Sequence, residues 1–202
     1  MARPKDQKKR REQLITATAN AVLLHGSTEM RLADIAEEAG LASASVLYYY
    51  PDVQELFTAV FEKGSIQYCE EREAHVAQET APLQRLHACI RSGIPRPGAA
   101  EEASRILYEL TPIVLRNESA AAQHETFITR QATLYEGVLE ECQATGQYRL
   151  LMPAKILARS FVALEDGYGI DVLTGAITAD QEEEWLLQYA HTILAPESIT
   201  IR

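Results

Sequence analysis

The sequence predicts an all-α protein of about nine helices, and two observations support this fold class. Apolar residues recur at helical spacing along almost the whole chain, and no strand-like alternation continues beyond a few residues. The 202 residues are enough to bury a hydrophobic core. The longest apolar runs fall well short of a membrane span, so we expect no membrane partner.

The charge of the chain is unevenly distributed. The formal net charge is −10, with 19 basic and 29 acidic side chains. Residues 1–11 carry six basic side chains and one acidic side chain, a net of +5, so the rest of the chain carries −15. Such a distribution argues against a protein that coats nucleic acid over its whole surface and favours contact with DNA at one end. Residues 1–5 are expected to form an arm that either contacts phosphates or is a solvated tail.

Residues 31–51 predict two short helices joined by a tight turn, after a first helix over residues 6–25. A buried stripe at positions i, i+3, i+4 and i+7 is formed by Leu32, Ile35, Ala36 and Ala39. Gly40 can end this helix in the left-handed conformation. A second helix is predicted from Ser43 to Tyr50, because Pro51 cannot continue it. This arrangement is a helix-turn-helix, whose second helix enters the major groove of DNA.

The motif resembles the DNA-binding domain of TetR-type transcriptional regulators. The residues that carry the resemblance are Gly26, Asp34-Ile35-Ala36, Ala39-Gly40-Leu41, Tyr48-Tyr49-Tyr50-Pro51 and Leu56. The resemblance implies a three-helix, homeodomain-like DNA-binding domain in residues 1–63. A helical-bundle domain for ligand binding and dimerisation would follow in residues 64–202. It further implies a cytoplasmic homodimer that needs no cofactor and binds double-stranded operator DNA and a small-molecule effector.

Three positions depart from the family pattern. Arg31 stands where the family usually has a capping Thr, and Ala42 where it usually has a capping Ser, although Ser43 could cap one residue later. Val53 replaces a Lys that contacts a phosphate. An arginine can make a bidentate phosphate contact, so we expect Arg31 to replace the contact that is missing at Val53.

The predicted DNA-binding residues are short polar and aromatic side chains beside Arg31. They are Arg31, Ser43, Ala44, Ser45, Tyr48 and Tyr49. The serine hydroxyls can pair with any base, and Ala44 can touch a thymine methyl group, but none of these side chains makes a bidentate purine contact. Readout of DNA shape, or readout through bridging water molecules, is therefore expected to contribute much of the specificity. Alternatively, the three consecutive tyrosines simply pack the small domain.

The rest of the chain is predicted to be helical. A helix from Asp52 to about Glu79 is expected to break near Gly64, at the domain boundary. Further helices are predicted over residues 82–93, 99–116 with a kink at Pro112, 119–145, 153–174 and 180–194. Thr178 and Gln181 form a capping box at the start of the last helix.

The last two helices are expected to form the dimer interface. The helix over residues 153–174 is apolar on two faces, so it must be covered both by its own chain and by another surface. The predicted interface residues are Ala163, Asp166, Ile170, Trp185 and Tyr189. The two helices resemble the pair through which TetR-type proteins dimerise, which would form a four-helix interface.

Polar and aromatic side chains recur on the inner faces of the second domain. The predicted ligand-binding residues are Tyr68, His87, Tyr108, Gln131, Tyr135, Glu165 and Tyr168. They could line a cavity between the helices, or they could bond to one another at the edge of the core. That such a cavity exists is implied by the resemblance.

No enzyme motif or metal-binding pattern is recognisable. The sequence contains no H-E-x-x-H, G-x-S-x-G or P-loop pattern, and its five histidines show no ligand spacing. Three cysteines without C-x-x-C spacing indicate reduced thiols. We therefore predict a ligand-responsive DNA-binding regulator that is not an enzyme, and a repressor released from a pseudo-palindromic operator. The alternatives are a dimeric small-molecule-binding protein with weakened or lost DNA binding and an all-α enzyme that uses the same cavity.

Overall fold

The computed structural model describes residues 4–196 of the chain, with side chains from residue 6. The described part contains ten helical segments and one antiparallel pair of three-residue strands. The helices are α1 Pro4–His25, α2 Leu32–Glu38, α3 Ser43–Tyr49, α4 Val53–Ala77, α5 Pro82–Gly93, α6 Ala99–Glu109, α7 Thr111–Val114, α8 Glu118–Ala144, α9 Ala154–Thr174 and α10 Ala179–Ile193. The strands are β1 Tyr148–Leu150 and β2 Leu194–Pro196. The predicted all-α class is confirmed. Of the predicted N-terminal arm, residues 1–3 lie outside the described residues, and Pro4 already belongs to α1.

The described residues divide into two compact units. One contains residues up to 66 and residues 102–124, and the other contains residues 67–101 and those from 125 onwards. The predicted helix break near Gly64 is wrong, because α4 continues without interruption. One glycine in a helix costs about 1 kcal/mol, which packing of the apolar face can offset. The assignment of residues 1–63 to DNA binding and of residues 64–202 to ligand binding stays a prediction.

The first unit is organised around α1 and the helix-turn-helix. Its core contains Leu14, Ala21 and Val22 of α1, Ile35 and Ala36 of α2, Val46 of α3, and Leu56 and Val60 of α4. Gly40 turns the chain between α2 and α3 with a φ of 63°, in the left-handed region that the sequence predicted. The motif therefore has the expected local geometry, and α1 packs against α3.

The two helices of the motif begin without a side-chain cap from the preceding residue. Ala42 occupies the cap position of α3, and Ser43 is already its first helical residue, so the predicted shift of the cap to Ser43 is wrong. At α2 the cap position is Arg31, whose backbone N–H donates to Asp34 Oδ2 at 2.6 Å. Asp34 thus supplies the acidic half of a capping box.

The linker between α1 and α2 is bonded to the end of α6. The backbone N–H of Ser27 donates to Glu109 Oε2 at 2.9 Å, and the Ser27 hydroxyl donates to the Glu109 carbonyl oxygen. Both residues belong to the first unit. The single kinked helix predicted over residues 99–116 is instead two helices, α6 and α7, with Leu110 between them. Pro112 explains the break, because it lacks an amide and clashes with the preceding turn.

The second unit contains α5, most of α8, α9 and α10. The predicted capping box of α10 is confirmed: Gln181 N–H donates to Thr178 Oγ1 at 3.2 Å, and Thr178 N–H donates to Gln181 Oε1 at 2.9 Å. The strands β1 and β2 pair the segment after α8 with the segment after α10. Three residues are too few to show alternation, so the sequence did not predict this pair.

Candidate functional site

The exposed side of α3 carries the predicted base-reading residues. Val46 is fully buried, whereas Tyr48 is 67% exposed and Ala44 is exposed. Ser43, Ser45 and Tyr49 are half-buried on the same helix, and the rings of Tyr48 and Tyr49 meet edge to face at 5.0 Å. Contact of these residues with DNA stays a prediction.

Tyr50 differs from the two tyrosines before it. It is 4% exposed, and the Arg11 guanidinium lies 4.9 Å from its ring centroid. Burial raises the pKa of the Tyr50 hydroxyl, and the Arg11 charge opposes that rise. Tyr50 therefore packs the small domain, which is the alternative that the sequence left open for the tyrosine run. Arg31 lies exposed at the first turn of α2, and Val53 is half-buried at the start of α4.

A buried arginine lies at the centre of a polar cluster in the second unit. Arg72 of α4 is 1% exposed. Its two terminal nitrogens donate to Glu165 Oε1 and Oε2, each at 2.9 Å, which is a bidentate ion pair. They also donate to Gln131 Oε1 at 2.7 Å and to the Cys89 carbonyl oxygen at 2.9 Å. Arg72 therefore links α4, α5, α8 and α9.

Aromatic rings surround this ion pair. The Arg72 guanidinium carbon lies 5.5 Å from the ring centroids of both Tyr68 and Tyr135. The Tyr135 hydroxyl donates to Glu165 Oε1, and the Tyr68 hydroxyl donates to the Gly93 carbonyl oxygen at 3.1 Å. Burial raises the pKa of both hydroxyls well above the usual value, so they stay protonated and act as donors.

The electrostatics of the cluster favour a charged guanidinium. Burial acts to lower the pKa of Arg72, but Glu165 and the neighbouring Tyr68 and Cys89 outweigh this and raise it well above its usual value. Burial raises the pKa of Glu165, and the Arg72 charge opposes that rise. The Cys89 thiol has a pKa raised to about 12, chiefly by burial, so it is an inert thiol at neutral pH.

Three polar side chains in or beside the cluster have atoms without a hydrogen-bond partner, and one of them is Arg72, through its Nε. Glu182 of α10 is 0% exposed, and neither of its carboxyl oxygens has a hydrogen-bond partner. Gln131 of α8 binds Arg72 through its oxygen, but its Nε2 is unpaired. Burial, and then the charge of Glu165, raise the pKa of Glu182 to about 8.

The structure brings together four of the seven predicted ligand-binding residues. Gln131 and Glu165 accept hydrogen bonds from Arg72, and the rings of Tyr68 and Tyr135 flank its guanidinium. The other three lie elsewhere: His87 faces His191 with 6.3 Å between ring centroids, Tyr168 packs against Trp185 at 5.3 Å, and Tyr108 belongs to the first unit. The role of all seven in ligand binding stays a prediction.

Arg72, the residue that organises the cluster, is not among the site residues predicted from the sequence. Cys69, Arg72 and Val76 follow one another at i, i+3 and i+7, and all three are buried. This spacing places an arginine on an apolar stripe, a signal that was available in the sequence. Such a position requires a buried acidic partner, because an unpaired buried charge is very unfavourable.

The predicted interface residues leave apolar surface uncovered on α9 and α10. Ile170 is 48% exposed and Trp185 is 40% exposed, and Ala163 is also exposed. Asp166 and Tyr189 are half-buried, and the Tyr189 ring meets Phe161 with 5.0 Å between ring centroids.

None of the helices within residues 4–196 combines the length and apolar character needed to cross a bilayer.

Comparison with known proteins identifies the fold. No protein-family model and no curated protein sequence matches the chain. Among solved structures, a proposed transcriptional regulator from Saccharomonospora viridis in complex with choline is 20% identical, with a TM-score of 0.85 over 93% of this chain and 99% of that one. A TetR transcription regulator from Haloarcula marismortui is also 20% identical, with a TM-score of 0.81 over 93% of this chain and 100% of the other.

A third similar structure contains both kinds of partner that the sequence suggested. It is AibR in complex with isovaleryl coenzyme A and operator DNA, which is 19% identical with a TM-score of 0.67 over 89% of this chain and 97% of that one. The chain therefore has the fold of TetR-type transcriptional regulators, as the sequence predicted.

Proposed function

We propose that this chain is a ligand-responsive, DNA-binding transcriptional regulator, a homodimeric repressor that a small molecule releases from a pseudo-palindromic operator. The observation that carries the proposal is the exposed recognition helix α3, presented by a helix-turn-helix in the TetR fold. The AibR complex with operator DNA and the S. viridis complex with choline support the two kinds of ligand by analogy.

The proposed mechanism depends on the spacing of two recognition helices in a dimer. Such helices must enter half-sites about 34–36 Å apart, so a shift of a few ångströms is enough to lose one of them. The effector must bind the conformer that does not bind DNA more tightly than the one that does. A gel shift with DNA from upstream of the chain's own gene tests the proposal, and release of that DNA by an effector tests the response.

The second candidate function is a dimeric small-molecule-binding protein with weakened or lost DNA binding. Two observations favour it: Val53 stands in place of a phosphate-binding lysine, and the cap position of α3 is occupied by Ala42, which provides no side-chain cap. Ligand binding without any affinity for upstream or random DNA, at low salt, would establish this alternative.

We predict that Arg31→Thr stabilises the fold but weakens DNA binding. A Thr hydroxyl can accept the N–H of Asp34 and complete the capping box, a gain of about 0.5–1 kcal/mol in unfolding free energy. Loss of a phosphate contact should lower the affinity for operator and random DNA alike and make the salt slope shallower by about 0.9. Unfolding in urea and DNA titrations at several salt concentrations measure both effects.

The matched control for this prediction is Arg149→Thr, which removes the same charge from an exposed position on β1 of the second unit. It should leave the salt slope unchanged. Equal or tighter DNA binding by Arg31→Thr would show that Arg31 is a solvated arginine with no contact to the backbone of DNA.

We predict that Trp185→Glu or Ala163→Arg converts the dimer to a monomer in sedimentation experiments. Specific interfaces bury roughly 1,200–2,000 Å², and a charge at the centre of one has no partner there. Leu24→Glu is the control, because Leu24 is 69% exposed on α1 and is not one of the predicted interface residues. A dimer that persists in both variants would place the interface on another surface.

A further inference from the structure

The buried ionisable side chains of the second unit do not all have partners. Among the described residues, the buried charged side chains are Arg72, Glu165 and Glu182, one base and two acids. The two terminal nitrogens of Arg72 are bound by Glu165, Gln131 and the Cys89 carbonyl, and only its Nε has no partner. One buried carboxyl group, that of Glu182, is therefore left without a counter-ion or a hydrogen-bond partner.

The neighbours of Glu182 on α10 explain why it has no partner. Asp180 and Glu183 both bind Arg96 on the surface, and Glu183 also binds Arg91 at 2.8 Å. Arg91 and Arg96 are thus bound by the exposed Asp180 and the half-buried Glu183, whereas Glu182 is fully buried. A buried acceptor without a hydrogen bond is costly. Either a proton or a cation that enters the site would remove that cost.

A second polar side chain in the same cluster also has an atom without a hydrogen-bond partner. Gln131 is 4% exposed and its Nε2 donor has no partner, although its oxygen is bound by Arg72. The cluster therefore offers two acceptor atoms from α10 and one donor from α8.

We propose that Glu182 is the binding site for a small protonated amine, whose N–H groups bind the two unpaired carboxyl oxygens, and that such an amine is the effector. An oxygen atom on the same molecule would accept a hydrogen bond from Gln131 Nε2. Because the oxygens of Glu182 lack donors, an amine with N–H groups should bind more tightly than a quaternary ammonium, which has none. The role as effector rests on the proposed function, whereas the binding site does not.

Binding of the amine should be linked to release of a proton. The charged groups that face Glu182 are Glu165 of α9, Arg72 of α4, and Arg96 in the segment between α5 and α6. With its pKa raised to about 8, Glu182 is largely protonated at pH 7. An ammonium group favours the ionised carboxylate, so affinity should increase as the pH rises from 6 to 8, and the proton should appear in the solvent.

Titration calorimetry on the full chain tests the proposal with three matched probes: ethanolamine, choline and ethylene glycol. We expect ethanolamine to bind with millimolar or tighter affinity, and at least about tenfold more tightly than the other two. Glu182→Gln, which retains the shape of the protonated acid, should weaken ethanolamine binding by about tenfold or more. Glu184→Gln, at an exposed position on the same helix, should leave it unchanged.

Two outcomes would overturn the proposal. One is the absence of ethanolamine binding at millimolar concentration, and the other is equal binding by the wild-type protein and a folded Glu182→Gln variant. Either would mean that Glu182 is a protonated core residue. A gel shift on the same samples separates this inference from the proposed function. Operator binding without amine binding contradicts only the inference, and amine binding without any DNA binding contradicts only the regulatory role.

Discussion

Arg72→Met is expected to lower the free energy of unfolding by about 3–5 kcal/mol, measured by urea denaturation. Methionine fills the space of the arginine stem, but it leaves Glu165 buried without its counter-ion. The Gln131 oxygen and the Cys89 carbonyl also lose their donors. A buried charge that has lost its partner is among the few changes that cost this much.

The double variant Arg72→Met with Glu165→Met is the control, because it removes both charges. It should regain most of the lost stability, since a buried ion pair replaced by apolar side chains is often neutral. A loss below about 1 kcal/mol in the single variant would show that the pair contributes little.

The pH dependence of Arg72→Met provides a second measurement. Burial raises the pKa of Glu165, and without Arg72 nothing of comparable strength opposes it. A carboxyl group with a folded-state pKa above its unfolded value binds protons more tightly in the folded state, so its contribution to stability is lost as the pH rises. The difference in stability between wild type and variant should therefore shrink as the pH falls from 7 towards 5.

Gly93→Ala is expected to destabilise the protein by about 1–3 kcal/mol, as for other overpacked cores. A Cβ at Gly93 would lie 2.3 Å from Glu165 Oε1 and 2.6 Å from its carboxyl carbon. Glu165 cannot easily move aside, because Arg72 holds both of its oxygens. The cost should therefore fall at the upper end of that range.

Gly137→Ala is the matched control for Gly93→Ala. Gly137 lies exposed within α8, and nothing lies within 4 Å of the position that its Cβ would take. Alanine there should stabilise the protein by about 0.5–1 kcal/mol, the usual gain for a helical glycine. Thermal or urea unfolding of the two variants compares them directly, and effects of the same sign would contradict the steric explanation.

The sequence predicted those features that depend on local chemistry. The ends of α2 and α5 follow from Gly40 and from the residues at 93–98, and the capping box at Thr178 is formed as expected. The burial of Val46 and the exposure of Tyr48 follow from helical periodicity. Periodicity assigns a face to each residue, but it does not say which faces meet in space.

The features that the sequence did not predict depend on partners far along the chain. Arg72 and Glu165 are 93 residues apart in sequence. Only the tertiary structure, which brings α4 and α9 together at this ion pair, explains why each residue is charged. The same holds for Gly93, which is small because Glu165 lies beside it. The continuity of α4 through Gly64 reflects packing that outweighs a single weak helix former.

The bonds between Ser27 and Glu109 limit how the recognition motif can be transferred to another protein. The linker that leads into α2 is hydrogen-bonded through Ser27 to Glu109, 82 positions later in the sequence. Both residues belong to the first compact unit. A chimaera joined after residue 63 would carry the helix-turn-helix but would leave Ser27 without its acceptor. The transferable module is therefore discontinuous in sequence: it consists of the N-terminal helices together with residues 102–124.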